Sequence, residues 1–341
     1  MAQDNGNRLV LLDGLRGVAA LMVVLFHANL DGSAPAFSRG YLLVDLFFLL
    51  SGFVLTLAFR QKFSEGMGTS EFLRLRWSRF RPMVITGALL GLAANIEVYH
   101  PLMLVGVTVA ACLMIPQGLG EPMYQTNAAQ WSLLDELFAN ALHAGLLHKL
   151  GWRQLAVIAL SCGTGFAICT CHFGHANLGA AAATLIPGLL RTGWSYILGI
   201  LLARAWMAGF RPPRTDWRMT LLAPGLLVLA VPLIGLPVWA GDLGVVLVAF
   251  PALFWLALGS GPSPGASHRL AFLGAISFPL YALHLPVLAI WDSYLLPGHG
   301  RASGVPLVLF VAIVAMLFAG YIGRRRACHS ARLQQDFLQR T

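Results

Sequence analysis

Residues 11–29 read LLDGLRGVAALMVVLFHAN, a run long enough to cross a bilayer that nevertheless carries an acid, a base and an imidazole. A spanning helix needs roughly 20 predominantly apolar residues. An ionisable side chain within one costs at least roughly 2.5–3.5 kcal/mol on insertion scales, so Asp13, Arg16 and His27 each need a reason. Arg16 and His27 are separated by about three helical turns plus 20°, which sets both on one face roughly 16 Å apart. Asp13 lies one turn before Arg16 and can pair with it, although by itself it better suits the headgroups. One stripe of an otherwise apolar helix therefore carries an acid–base pair at one end and an imidazole at the other.

The remainder of the chain has the same character. Of 341 residues, 57% are hydrophobic and 11% charged, against about 25% charged in a soluble domain. Mean hydropathy is +0.72. The expectation is one all-α membrane domain over 1–341. Eleven apolar runs are candidate spans: roughly 9–29, 40–60, 82–99, 101–116, 131–148, 153–171, 185–206, 219–236, 241–259, 270–293 and 305–323.

The net charge of +9 would suggest nucleic acid in a soluble protein. Here it reflects the basic loops that mark the cytoplasmic side of membrane proteins, and no nucleic-acid partner is expected. Basic residues cluster at Arg60–Arg81, Lys149–Arg153, Arg204–Arg218 and Arg324–Arg340, with Arg8 and Arg269 in two other connections. All but Arg16, Arg39, Arg191 and Arg301 share one side if the stretch from Tyr99 to Gln130 begins and ends outside. The run 101–116, bracketed by Pro101 and Pro116, then does not cross and becomes a re-entrant or surface segment. Ten spans remain, with both termini cytoplasmic. The basic segment 70–81, with Ser70 as N-cap, reads as a helix on the inner surface facing anionic headgroups.

The cysteines Cys112, Cys162, Cys169, Cys171 and Cys328 are odd in number and mostly lie in apolar runs, which argues against a disulfide framework. Cys169, Cys171 and His172 look like a fragment of a metal site, but no second ligand cluster answers them, so no metal is expected. The first apolar run lacks a small-residue cleavage site and is expected to stay as a helix.

Other spans hold buried charge too. Asp45 sits in GYLLVDLFFLLSGF (40–53), where the insertion cost calls for a partner, with Arg16 or His27 as candidates. Ser51 and Gly52 suit close helix packing. In NAAQWSLLDELFANALHAG (127–145), Glu136, Asn140 and His143 form one polar stripe, and Trp131 suits the interface. Asp135 and Glu136 point in different directions, so at most one faces a shared cavity; the stripe favours Glu136. Near the end, LGAISFPLYALHLPVL (273–288) holds His284 one turn after Tyr281, with kinks expected at Pro279 and Pro286.

Together these segments resemble the integral membrane acyltransferases of acyltransferase family 3. The family's LDGLRGxAAxxVxxxH pattern is reproduced from Leu12 to His27, and GxxxVDxFFxxSGF from Gly40 to Phe53. A basic segment ending in proline follows from Phe72 to Pro82, then NxxxWSLxxE from Asn127 to Glu136, then SxxxYxxHxP from Ser277 to Pro286. The chain departs from the family's habits at Leu43, Leu75, Arg81, Phe278 and Pro279.

The resemblance implies acyl transfer from cytoplasmic acyl-CoA, acetyl-CoA by default, to a hydroxyl of a carbohydrate or glycolipid acceptor. It implies a bacterial-type inner membrane and no bound cofactor. On that reading Arg16 contacts the donor and Arg76 and Arg79 attract its phosphates. His27 is the general base, with Asp45 or Glu136 orienting it. Trp131, Ser132 and Tyr281 are candidate oxyanion donors, and Asp13 and His284 are supporting residues. The rival reading is an ion-coupled transporter or exporter, which buried charges also suit; the absence of internal repeats speaks against it. A structural scaffold would leave those charges unexplained.

Overall fold

The computed structural model describes residues 2–28, 34–118 and 122–295, with the isolated positions 311, 314, 316 and 320. Apart from those positions, the expected span 305–323 lies outside the described residues. So do Arg301, Arg324–Arg340, Cys328 and the bearing of the C-terminus.

The chain is a polytopic helical membrane bundle. Its helices are α1 (Ala2–Ala28), α2 (Leu43–Ser64), α3 (Thr69–Ala94), α4 (Pro101–Cys112), α5 (Gln130–Gly145) and α6 (Trp152–Phe173). They continue with α7 (Leu185–Met207), α8 (Trp217–Ala230), α9 (Val238–Leu243), α10 (Phe250–Leu258) and α11 (Pro264–Ile290). A π-helical stretch, Gly244–Ala249, joins α9 to α10.

Six stretches among the described residues are long and apolar enough to cross a membrane. They are Val10–Ala28, Pro35–Ser64, Trp152–Phe173, Ala182–Met207, Val238–Leu258 and Pro264–Tyr294. The expected ten is therefore not reached on length and composition. Helices α3, α5 and α8 occupy three other expected positions, but α3 opens with Arg74, Arg76, Arg79 and Arg81. Helix α5 has 16 residues and includes Asp135 and Glu136, and α8 has 14.

The basic segment also differs from its expectation. Instead of a separate surface helix followed by a span from 82, α3 runs unbroken from Thr69 to Ala94, with Pro82 inside it. A proline deletes one backbone hydrogen bond and bends a helix, and packed neighbours in a membrane bundle tolerate this. Arg74, Arg79 and Arg81 are exposed, but Arg76 is buried. The basic stretch thus buries one guanidinium. Helix α4 has 12 residues, about 18 Å of helix, too short for a roughly 30 Å hydrocarbon core. It buries Leu104, Thr108 and Ala111 and exposes Leu102, Met103, Val105 and Val109.

Small residues set the helix spacing, as they do where dispersion replaces the hydrophobic effect. Helix α11 lies parallel to α1, with Gly14 against Leu270, Gly17 against the Leu273 backbone and Gly274 against Asp13. Helix α7 lies against α2, with Gly52 on the Tyr196 carbonyl and Gly199 on the Leu49 carbonyl. A Cβ at any of these positions except Gly14, where a flexible leucine end is met, would collide with backbone or with the base of a side chain.

The basic ends come together. Arg60 near the end of α2 reaches Met207 at the end of α7. Arg204 of α7 donates to the Leu147, His148 and Leu150 carbonyls between α5 and α6. Thr215, before α8, binds Ser260, after α10. His27 and Tyr41 lie at the opposite ends of their spans.

Candidate active site

A cavity opens among α1, α2, α3, α5 and α11. Its polar wall consists of Arg16, Ser51, Arg76, Arg79, Ser132, Glu136, Ser277 and Tyr281, and Phe47, Phe48, Phe80 and Phe278 provide aromatic surface. Six residues singled out in the sequence thus share one space: Arg16, Arg76, Arg79, Ser132, Glu136 and Tyr281.

Each is fixed by its neighbours. Arg16 Nη1 stands 3.8 Å from Asp13 Oδ1, one turn back. Arg76 Nη2 donates to Glu136 Oε1 at 2.8 Å, and the Ser51 hydroxyl donates to the same oxygen at 2.6 Å. The Phe80 ring lies 4.9 Å from the Arg76 guanidinium. The Ser132 and Tyr281 hydroxyls share a short hydrogen bond, and Ser132 also reaches the Ala129 carbonyl at 3.1 Å. Three guanidinium groups therefore face the cavity against Glu136, with Asp13 behind Arg16. That balance suits an anionic ligand.

Beyond Tyr281, on the side away from the basic helix ends, stand two histidines. His284 is fully buried. Its Nδ1 lies 2.6 Å from the Tyr281 carbonyl, and its Nε2 lies 3.1 Å from His27 Nδ1. His27 Nδ1 is also 3.0 Å from the Val23 carbonyl. Neither histidine lines the cavity itself; Tyr281 is the residue that belongs to both groups. The stripe of α1 therefore holds, with Arg16 in the cavity and His27 past its far end.

Several expectations are corrected. Asp45 does not meet Arg16 or His27 through its carboxylate hydrogen bonds. Its Oδ2 accepts from Arg191 Nε at 2.8 Å and Nη2 at 2.6 Å, and its Oδ1 from Ser195 at 3.1 Å. Arg191 and Asp45 are both buried, so α7 supplies the counter-charge that the insertion cost demands. Glu136 likewise has Arg76 and Ser51 as its partners rather than an imidazole. Trp131 is turned about 100° from Ser132 on the helix, away from the cavity. Its ring packs on Gly179 and lies 5.8 Å from the Arg191 guanidinium. The ring is thus buried within the bundle rather than at its surface. The stripe on α5 splits: Glu136 faces the cavity, whereas Asn140 and His143 both bind the Tyr196 hydroxyl, at 2.9 and 3.0 Å. Asp135 is buried on another face, 3.3 Å from Thr192 Oγ1.

Two charge networks escaped the sequence reading. One is Arg191 with Asp45; the signal was an arginine inside an apolar run and an acid inside another, each lacking a local partner. The other joins Asp242 to the Tyr41 hydroxyl at 2.6 Å, the Ala176 amide at 2.9 Å and Arg39 Nε at 3.7 Å. Both tie the helix ends near His27, and neither lies in the cavity.

A family model described as an acyltransferase domain matches residues 9–324. "Protein 2 in picA locus" of Rhizobium radiobacter is 38% identical over 46% of this chain and 92% of that protein. A candidate O-acetyltransferase of Staphylococcus aureus (strain COL) is 25% identical over 84% of this chain and 52% of that protein. Its counterpart in strain N315 matches to the same extent. The chain thus spans about half the length of these staphylococcal relatives. No solved structure matches it.

Proposed function

The chain belongs to acyltransferase family 3, and on that premise we propose that it moves an acyl group from acyl-CoA to a hydroxyl of a carbohydrate or glycolipid acceptor. Acetyl is the default group. The observation that carries this reading is the polar cavity holding Arg16, Arg76, Arg79 and Glu136, with the His27–His284 pair just beyond Tyr281.

The donor is anionic at its nucleotide end and enters from the basic side, the cytoplasmic one by the positive-inside rule. Arg79 and Arg16 meet it, while Arg76 is held in place by Glu136. The thioester then lies toward Ser132 and Tyr281, and the acceptor hydroxyl arrives from the His27 side. A backbone carbonyl can only accept, so the nitrogen facing it carries the proton. His284 Nδ1 therefore donates to Tyr281, leaving Nε2 to accept from His27 Nδ1–H, which also faces Val23. The basic lone pair of His27 is then on Nε2. Nε2 takes the acceptor hydroxyl's proton as the oxygen attacks the thioester carbonyl. The tetrahedral intermediate expels CoA as thiolate, and the imidazolium returns the proton to it. Ser132 donates to the Ala129 carbonyl and Tyr281 to Ser132, so Tyr281 would turn its hydroxyl proton from Ser132 onto the intermediate's oxyanion.

The test is mass spectrometry of cell-surface carbohydrates from cells with and without this chain, and with His27→Ala. Loss of one acyl increment in both deficient strains is expected. Unchanged carbohydrates, together with no CoA release by purified protein given acetyl-CoA and the strain's carbohydrate extract, would return the buried charges to ion-coupled transport.

A further inference from the structure

A second cleft lies at the basic end between α2, α7 and the α5–α6 turn. It is on the other side of α2 from the reaction cavity. The cavity uses Phe47, Ser51 and Val54, whereas the cleft uses Thr56, Arg60 and Phe63. Ser51 to Arg60 is about two and a half helical turns, so the two spaces face opposite ways.

Its two arginines, Arg60 exposed and Arg204 half-buried, lack the carboxylate partner that four others in the bundle have. Arg16, Arg39, Arg76 and Arg191 each stand within 4 Å of a carboxylate. Among the described residues, Arg60 and Arg204 have no such ion pair. Arg204 donates to three carbonyl oxygens, at 2.6, 3.2 and 3.3 Å, which orient the guanidinium without neutralising it. Arg60 Nη1 approaches the Met207 sulfur at 3.7 Å. Two cations in a concave site without an internal counter-ion call for an anion from outside.

The surroundings narrow its class. Phe63 stacks on His148 with ring centroids 4.5 Å apart, forming an apolar wall. Trp152 lines the cleft and is 47% exposed, and Leu150 and Met207 line it as well. An exposed tryptophan at a helix start suits the membrane interface. Basic pockets between spanning helices on the cytoplasmic side are binding places for anionic lipid headgroups. A free nucleotide would have no use for the apolar lip; an amphiphilic phosphate would.

We infer that this cleft holds the headgroup of an anionic phospholipid, its phosphate between Arg60 and Arg204 and its acyl chains along Trp152 and Leu150. The site is independent of the proposed transfer reaction.

Native mass spectrometry of the full chain tests it, with dioleoyl phosphatidylglycerol or dioleoyl phosphatidylcholine added to the detergent-solubilised protein. Phosphatidylglycerol should be retained preferentially, and Arg60→Ala should lower its occupancy about fivefold, in line with about 1 kcal/mol per basic residue at the headgroups. Arg60→Lys should lower it less. Arg218→Ala, an exposed basic change outside the cleft, should leave it unchanged. Arg60→Ala is used because removing Arg204 would also release the α5–α6 turn. Equal retention of the two lipids, or wild-type occupancy in Arg60→Ala, would overturn the assignment. So would displacement of phosphatidylglycerol by equimolar acetyl-CoA or inorganic phosphate, since the site would then belong to a soluble phosphate.

Discussion

His27 and His284 illustrate how much a single hydrogen bond decides. If His27 Nε2 is the base, His27→Ala should lower kcat about 10²–10⁴-fold while leaving donor affinity near wild type, because Arg16 and the α3 arginines remain. Steady-state kinetics with varied acetyl-CoA separates the two parameters. His284→Gln keeps an acceptor near the former Nε2 and should retain more activity than His284→Ala; equal losses would remove the orienting role. The Asp45–Arg191 pair obeys a different logic, with both groups buried at 2.6 Å. Arg191→Met would strand a buried carboxylate and should cost about 3–5 kcal/mol. Adding Asp45→Leu should recover much of that loss in thermal unfolding of the purified protein.

At the scale of helices, spacing follows from glycine. A Cβ on Gly17 would press on Leu273, and one on Gly274 on Asp13, so either change must part α1 from α11. Those two helices carry Arg16, His27, Tyr281 and His284. Gly274→Val should therefore reduce both melting temperature and acyl transfer, whereas Gly225→Ala, with only ordinary van der Waals contact at 3.6 Å, should change neither. The same scale explains what could be read from sequence. The period of α1 located Arg16 and His27 correctly on one stripe because 3.6 residues per turn is a local property. The side chain opposite a given stripe is not local. Asp45 needed a cation, but nothing in its own segment distinguishes Arg191, 146 residues away, from Arg16. The α5 stripe was real as a period and misleading as a site, because three neighbouring helices divide its face among them. Continuity of α3 through Pro82 escaped for a related reason. Proline ends helices in water, whereas a packed bundle supplies the contacts that carry one across.

For the molecule as a whole, the question is which side each end of the bundle faces. Arg60, Arg204 and the α3 arginines gather at one end, and His27, Tyr41 and Asp242 at the other. Arg16 and His27 are separated by roughly 16 Å of helix, about half of a 30 Å hydrocarbon core. On the proposed reading, a donor held at Arg16 and an acceptor proton taken at His27 would be reached from opposite faces, with the transfer within the bilayer. This arrangement makes orientation testable without knowing the acceptor. In a variant whose native cysteines are replaced by serine, a cysteine at Gly66, in the turn between α2 and α3, or at Arg214, between α7 and α8, belongs to the basic end. Cysteines at His100 or Gly174, after α3 and α6, belong to the histidine end. A membrane-impermeant maleimide should label positions 66 and 214 only in inverted vesicles, and positions 100 and 174 only in intact spheroplasts. If 66 and 100 were labelled from the same side, α3 would not cross. The cavity would then open to one face alone, and donor and acceptor would have to enter by the same door.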